Sequence, residues 1–70
     1  MDKAKLTILD RAQVTQRTSL KRESIIRMAR AGEFPQPIKL GERRRIGWIE
    51  AEVEQWIAEQ IKATRGMEAA

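Results

Sequence analysis

The fold is decided by residues 18–32, which read TSLKRESIIRMARAG. Two hydroxyl side chains at the start of this stretch compete with helical backbone hydrogen bonds and predict a tight turn. After the turn, Ile25, Met28 and Ala29 fall at positions i, i+3 and i+4, the spacing of one helix face. We therefore expect a helix over Lys21–Ala31, with this face in the core and the glycine that follows as its C-terminal cap.

The residues before the turn predict an earlier helix. Asp10 can cap its first turn, and Gln13, three residues later, can bond back to the amide of Asp10 in a capping box. Leu9 and Val14 stand at the spacing of a hydrophobic staple, which fixes the angle at which the chain enters the helix. This first helix is expected over Arg11–Arg17.

Two short helices joined by a tight turn are typical of a helix-turn-helix, whose second helix enters the major groove of DNA. The second helix here is basic on the side opposite its core face. Its candidate DNA-contacting residues, on that side and at its N-terminal end, are Lys21, Arg22, Glu23, Ser24, Ile26, Arg27 and Arg30. Arg22 can form two hydrogen bonds to the edge of a guanine. Glu23 can accept a hydrogen bond from cytosine, form an ion pair with Arg27 or repel phosphates. An ordinary solvated helix surface is the alternative explanation of these charges.

The next segment predicts a β-hairpin. Phe34–Pro37 cannot be helical, because its two prolines force an extended path and lack amide donors. Ile38–Leu40 and Arg45–Trp48 have the composition of strands on either side of a turn at Gly41–Arg44. The basic residues of this hairpin are Lys39, Arg43, Arg44 and Arg45. If the hairpin lies against DNA as a wing, these side chains would contact phosphates. The alternative is that they only form a charged hairpin tip, which prevents the edge of the sheet from pairing with another chain.

A third helix is expected over Glu50–Lys62. Apolar residues recur at helical spacing along it, namely Ile49, Val53, Trp56, Ile57 and Ile61. Its first turns carry Glu50, Glu52 and Glu54. The helix dipole favours negative charge in this position, so these carboxylates need no catalytic or metal-binding explanation.

A core this small needs its few large apolar residues inside. We therefore expect the aromatic side chains to pack in the interior rather than to stack on nucleic-acid bases. These are Phe34, Trp48 and Trp56. Leu6 and Ile8, in a short extended segment ahead of the first helix, are expected to join them. Residues 1–62 then form a single domain, and residues 63–70, which lack periodicity, form a flexible C-terminal tail.

The composition excludes several classes of protein. With 70 residues, the chain has apolar side chains for one core only. It contains neither cysteine nor histidine, so disulfides, thiolate or imidazole metal sites and Ser/His or Cys/His nucleophiles are excluded. We expect no metal, no cofactor and no enzymatic activity. Because no apolar run is long enough to span a membrane, a soluble cytoplasmic protein without a membrane partner is expected.

The positive charge is concentrated in the middle of the chain. The net charge is +4, but residues 11–45 hold ten Lys and Arg against three Glu, whereas residues 46–70 hold two against five. A polyanion such as DNA would therefore meet the central part of the chain, and the acidic C-terminal part would face away from it.

Two segments resemble a known family. Residues 31–41, AGEFPQPIKLG, and residues 47–57, GWIEAEVEQWI, look like the AlpA family of prophage regulators, and the resemblance covers about Thr7 to Ile61. That family is similar to phage excisionases and, in fold, to the DNA-binding domain of MerR-type regulators. The resemblance implies an α+β winged helix-turn-helix with three helices and a two-stranded hairpin wing. The recognition helix then falls on Lys21–Ala31 and the wing on Lys39–Trp48.

The resemblance also implies a function. The chain is expected to bind specific sites on double-stranded DNA, as a transcriptional regulator or as an excisionase, a recombination directionality factor, of a prophage or other mobile element. Its expected partners besides DNA are further copies bound cooperatively beside it, and an integrase or another regulator. The chain departs from the family pattern at Ser19, where many members have glycine, at Lys21, where a serine cap is usual, and at Ile26, where tyrosine is common.

One alternative function belongs to a different class. The chain could be a protein-interaction module that inhibits a DNA-binding regulator, docking through the acidic face of the third helix or through an exposed Ile26. Reversing the charges of Arg27 and Arg43 separates the two functions, because it should abolish DNA binding and spare docking through the third helix.

Overall fold

The computed structural model describes residues 6–42 and 44–69, with side chains described as far as Gly66. In chain order the elements are β1 (Ile8–Leu9), α1 (Arg11–Thr18), α2 (Arg22–Arg30), β2 (Ile38–Lys39), β3 (Ile46–Ile49) and α3 (Glu50–Ala69). The order and number of helices confirm the α+β architecture expected of a small winged helix-turn-helix. Both helices of the predicted helix-turn-helix lie within one residue of their expected limits.

The sheet has three strands, one more than the hairpin predicted from sequence. β3 is the central strand and pairs antiparallel with β2 on one side and with β1 on the other. Ile8 lies opposite Ile49, and the amide of Glu50 donates to the carbonyl of Thr7 at 2.8 Å. The sheet therefore ties the N-terminal segment directly to the start of α3.

Gly47 allows β1 to approach β3 closely. A Cβ atom at position 47 would lie 2.5 Å from Cγ2 of Ile8 and 3.1 Å from the carbonyl oxygen of Leu9. Since carbon atoms in contact stay about 3.5–4.0 Å apart, any side chain here would push the first strand away.

The predicted capping box at the start of α1 is confirmed. The amide of Gln13 donates to Oδ1 of Asp10, and the amide of Asp10 donates to Oε1 of Gln13, both at 2.9 Å. The helix ends at Ser19, whose φ of 65° lies in the left-handed region. The turn thus adopts a backbone conformation that glycine takes without steric cost and that strains an L-residue such as serine.

α2 has different ends. Its N-terminal cap is Lys21, whose side chain makes no capping hydrogen bond. At its C-terminal end Gly32 has a φ of 79°, and the amide of Glu33 donates to the carbonyl of Met28 at 2.8 Å. This six-to-one bond, with the amide of Gly32 donating to the carbonyl of Ala29, forms a Schellman motif that turns the chain out of the helix.

The core is built around Trp48, which is fully buried on the central strand. Its Nε1 donates to the carbonyl of Pro35 at 2.9 Å. Phe34 packs edge-to-face against Trp56, with ring centroids 4.8 Å apart, and Nε1 of Trp56 donates to the carbonyl of Glu33 at 2.8 Å. The aromatic side chains are therefore packing residues, as expected, and form no base-stacking platform. The other buried core residues are Leu9, Val14, Ile25, Ala29 and Val53.

The structure differs from the sequence analysis at three places near the ends of the chain. Leu6 is 84% exposed, because pairing with β3 begins at Ile8 and Leu9 supplies the buried side chain instead. Ile61 is 50% exposed, because the packing of α3 against the core ends at Ile57. The helix itself continues to Ala69, so the segment expected as a tail after Lys62 is helical to that point. Apolar periodicity reports burial, and a helix that leaves the core does not show it.

We predict that Ser19→Gly stabilises the protein. An L-residue in the left-handed region costs roughly 1–2 kcal/mol, and glycine removes this cost. Part of the gain is lost, because glycine loses more backbone entropy on folding than serine does. The free energy of unfolding should rise by up to about 1 kcal/mol in urea titrations. Ser24→Gly, within α2, is the matched control and should lower it by about 0.5 kcal/mol. Equal losses from both variants would contradict the role given to the turn.

Gly47→Ala and Gly66→Ala should have opposite effects on stability. The first places a methyl group against Ile8 and should cost about 1–3 kcal/mol through overpacking. The second adds a methyl group to α3 where no atom beyond the neighbouring helix backbone lies within 4 Å, and should stabilise by up to about 1 kcal/mol. Thermal and urea unfolding of the two variants tests this. A neutral Gly47→Ala variant would show that β1 is not held against β3.

Candidate nucleic-acid interface

An open groove of about 790 Å³ lies between α1 and α2, and we call it the α1–α2 groove. It exists because the left-handed Ser19 ends α1 abruptly and α2 leaves at an angle. Five of its lining side chains are cationic and one is a carboxylate. The lining residues are Arg11, Thr15, Lys21, Arg22, Glu23, Ile26, Arg27 and Arg30. Such a surface suits a polyanion, since all five cations are exposed to solvent.

The structure brings six of the seven candidate residues of the second helix together in this groove. The exception is Ser24, which is half-buried and does not line it. Ile26 does line it, but it is half-buried and packs against the core cluster. The idea of an exposed Ile26 as a docking residue is therefore wrong. Its β-branched side chain instead forms part of the groove wall between the flanking cations.

Two residues of α1 belong to the groove and were not anticipated. Arg11 and Thr15 lie one helical turn apart, on the side of α1 that faces α2. The sequence did contain a signal for them: Val14 marks the core side of the helix, and residues separated by four share a face. What it lacked was the angle between the two helices, which decides whether that face looks toward α2 or away from it.

The β2–β3 hairpin, which we call the wing, carries a second set of cations. Leu40 donates its amide to the carbonyl of Arg45 at 2.9 Å, and Gly41 turns the chain with a φ of 74°. Lys39, Arg44 and Arg45 are exposed. None of them lines the α1–α2 groove. Arg43, the fourth predicted wing residue, lies outside the described residues.

One arginine of the basic region serves the fold instead. Nη1 of Arg17 lies 2.9 Å from a carboxylate oxygen of Glu50 and 3.6 Å from one of Glu54, which ties the end of α1 to the start of α3. The acidic start of α3 thus has a partner as well as a favourable helix dipole. With Arg17 41% exposed, the pair adds at most about 1 kcal/mol, so its effect is mainly on orientation.

Two further features, a metal-binding cluster and a membrane-spanning helix, can be assessed for the described part of the chain. Across residues 6–42 and 44–69, no cluster of three or more acidic side chains could hold a metal ion. Among the same residues, no helix has both the length and the apolar character needed to cross a membrane.

Comparison with known proteins supports one family. Searches of curated proteins and of solved structures give no significant match. A family model described as "Prophage CP4-57 regulatory protein (AlpA)" matches residues 7–61. This span runs from β1 into α3 and contains both the α1–α2 groove and the wing. The chain therefore belongs to the AlpA family of prophage regulatory proteins.

Proposed function

We propose that this protein binds specific sites on double-stranded DNA, with α2 in the major groove and the wing along the phosphate backbone. The observation that carries the proposal is the α1–α2 groove, where five exposed cations line the second helix of a helix-turn-helix along its whole length. A single carboxylate accompanies them. The positive charge is local to this groove, because the same domain carries a cluster of glutamates at the start of α3.

The exposed side of α2 supplies the candidate base contacts. Arg22 is its first residue, and the N-terminal residues of a recognition helix approach base edges most closely. An arginine can form two hydrogen bonds to guanine, and Glu23 beside it can accept one from cytosine. Because the side chain of Lys21 does not cap the helix, amides of its first turn are left to an outside acceptor such as a phosphate.

The remaining cations supply contacts that depend little on sequence. Arg11 approaches from α1, while Lys39, Arg44 and Arg45 extend from the wing, and all four are exposed. Such residues neutralise phosphates and release counterions, which adds affinity. Their contacts with the phosphates also fix the register of the protein on DNA. Recognition and clamping thus belong to different elements of the fold.

The biological role follows from the family and from the size of the domain. A domain of this size contacts few base pairs, so useful occupancy requires several copies on neighbouring sites. We infer a non-catalytic regulator of a prophage or mobile element, acting on transcription or as an excisionase that cooperates with an integrase or another regulator. Genome-wide footprinting distinguishes these roles: occupied promoters indicate transcriptional control, and occupied attachment sites indicate excision.

We predict that Arg27→Glu weakens binding to a single-site duplex by at least about tenfold, because it replaces a groove cation by an anion. The duplex is selected from a random pool by the wild-type protein, and affinity is measured by fluorescence anisotropy. Arg65→Glu, on the exposed end of α3, changes the net charge equally and serves as the control. If both variants lose affinity to the same extent, the groove is not the interface and only net charge matters.

The wing residues should control the salt dependence of binding. Each phosphate contact contributes about −0.9 to the slope of log K against log salt. Arg44→Ala/Arg45→Ala should therefore make this slope less steep by about 1.8, with the preferred DNA sequence unchanged. Arg22→Ala is the comparison and should relax sequence preference instead. A double variant with the wild-type slope would remove the wing from the interface.

A further inference from the structure

A second open groove, of about 850 Å³, lies between residues 32–38 and the first half of α3, and we call it the α3 groove. Its floor is apolar and includes Phe34, Pro37 and Trp56. Its rim carries three carboxylates, those of Glu33, Glu52 and Glu59, and all three are exposed. The lining residues include no lysine or arginine. In a chain of net charge +4, this is a locally acidic surface around an apolar floor.

The far end of α3 has the opposite character. Residues 58–66 are all exposed, so the helix leaves the core after Ile57. We call residues 61–66 the arm. Ile61 is 50% exposed, and Lys62 and Arg65 stand beside it without a carboxylate between positions 61 and 66. A helical segment this short that lacks tertiary contacts is marginally stable in water, so the arm gains stability if another surface covers it.

We propose that the arm of one copy of this chain docks in the α3 groove of a second copy. The chemistry of the two surfaces is complementary: Ile61 supplies an apolar anchor for the floor, and Lys62 and Arg65 meet the glutamates of the rim. Opposite potentials of this kind favour encounter and fix register, and a few well-packed side chains near the centre of an interface supply most of the affinity.

The geometry of α3 makes this a contact between two different surfaces. Ile61 follows Trp56 by five residues, which places the two side chains about 140° apart around the helix axis. The arm and the groove of one copy are therefore different surfaces. Two copies can exchange them reciprocally about a two-fold axis, or successive copies can continue the contact as a ring or an open chain.

This contact leaves the α1–α2 groove free. No residue of the arm or the α3 groove lines the α1–α2 groove. Copies bound to neighbouring DNA sites could then be joined by protein contacts as well as by the duplex. That consequence rests on the proposed function, whereas the contact between copies does not.

The test uses two variants of the full chain that disable one surface each. The arm variant is Ile61→Asp, and the groove variant is Glu33→Lys/Glu52→Lys. All three positions are exposed, so the fold is retained, which circular dichroism and the dispersion of the amide spectrum verify. Arg27→Glu is the control, because it lies in the α1–α2 groove and leaves both surfaces intact.

Sedimentation and amide NMR spectra are measured as a function of protein concentration, to about 1 mM. The wild type and Arg27→Glu should associate, and each disabling variant should weaken association by about tenfold or more. An equimolar mixture of the two variants should form a complex of two copies and nothing larger. In that mixture, labelled arm variant should shift at its groove residues, and labelled groove variant should shift at residues 61–66.

Three results would overturn the proposal. They are a wild type that stays monomeric over the whole range, association that survives in both variants, and a mixture that restores no complex. A monomeric wild type whose groove signals shift with an unrelated peptide such as KLKKLLKK would assign the groove to a basic segment of another protein. Loss of DNA binding by the wild type, with association intact, would refute the proposed function and leave this contact standing.

Discussion

The structure depends on the burial of Trp48. This side chain is fully buried on the central strand, and its one polar atom is satisfied by the carbonyl of Pro35. The bond holds the loop after α2 against the sheet. Phe34, the preceding residue, then contacts Trp56 of α3, so a single interior cluster connects the helix-turn-helix, the wing and the last helix. Without that cluster, the two basic elements would have no fixed relation to each other.

Two left-handed residues set the directions that this core preserves. Ser19 ends α1 and Gly32 follows α2, so the second helix lies between two abrupt changes of direction. The first change opens the α1–α2 groove. The second leads into the Pro-rich loop, whose extended path places β2 beside β3. The candidate surface is therefore shaped by backbone conformations at its borders, and the exposed side chains of α2 could be exchanged without disturbing them.

Local patterns made much of the fold predictable. The capping box of Asp10 and Gln13, the apolar spacing of α2 and the prolines before the hairpin each act within a few residues, and all were recognisable in the sequence. Features that depend on distant parts of the chain were not. β1 has two residues and no alternation of its own, and the ion pairs of Arg17 with Glu50 and Glu54 require the relative placement of α1 and α3. The place of Arg11 in the α1–α2 groove and the partial burial of Ile26 were missed for the same reason. Both depend on the angle between α1 and α2, which has no local signature in the sequence.

The pairing of the first strand with β3 also bears on how the protein is made. Ile8 meets Ile49, 41 residues later, and the chain is synthesised from its N-terminus. Until that later segment leaves the ribosome, the strand edge of β1 has no partner, and the apolar faces of both early helices lack the residues of β3 and α3 that complete the core. The sheet and interior can therefore close only after Ile49 has been synthesised. A prematurely terminated chain that lacks β3 cannot complete this interior, and it is a ready substrate for cellular proteases.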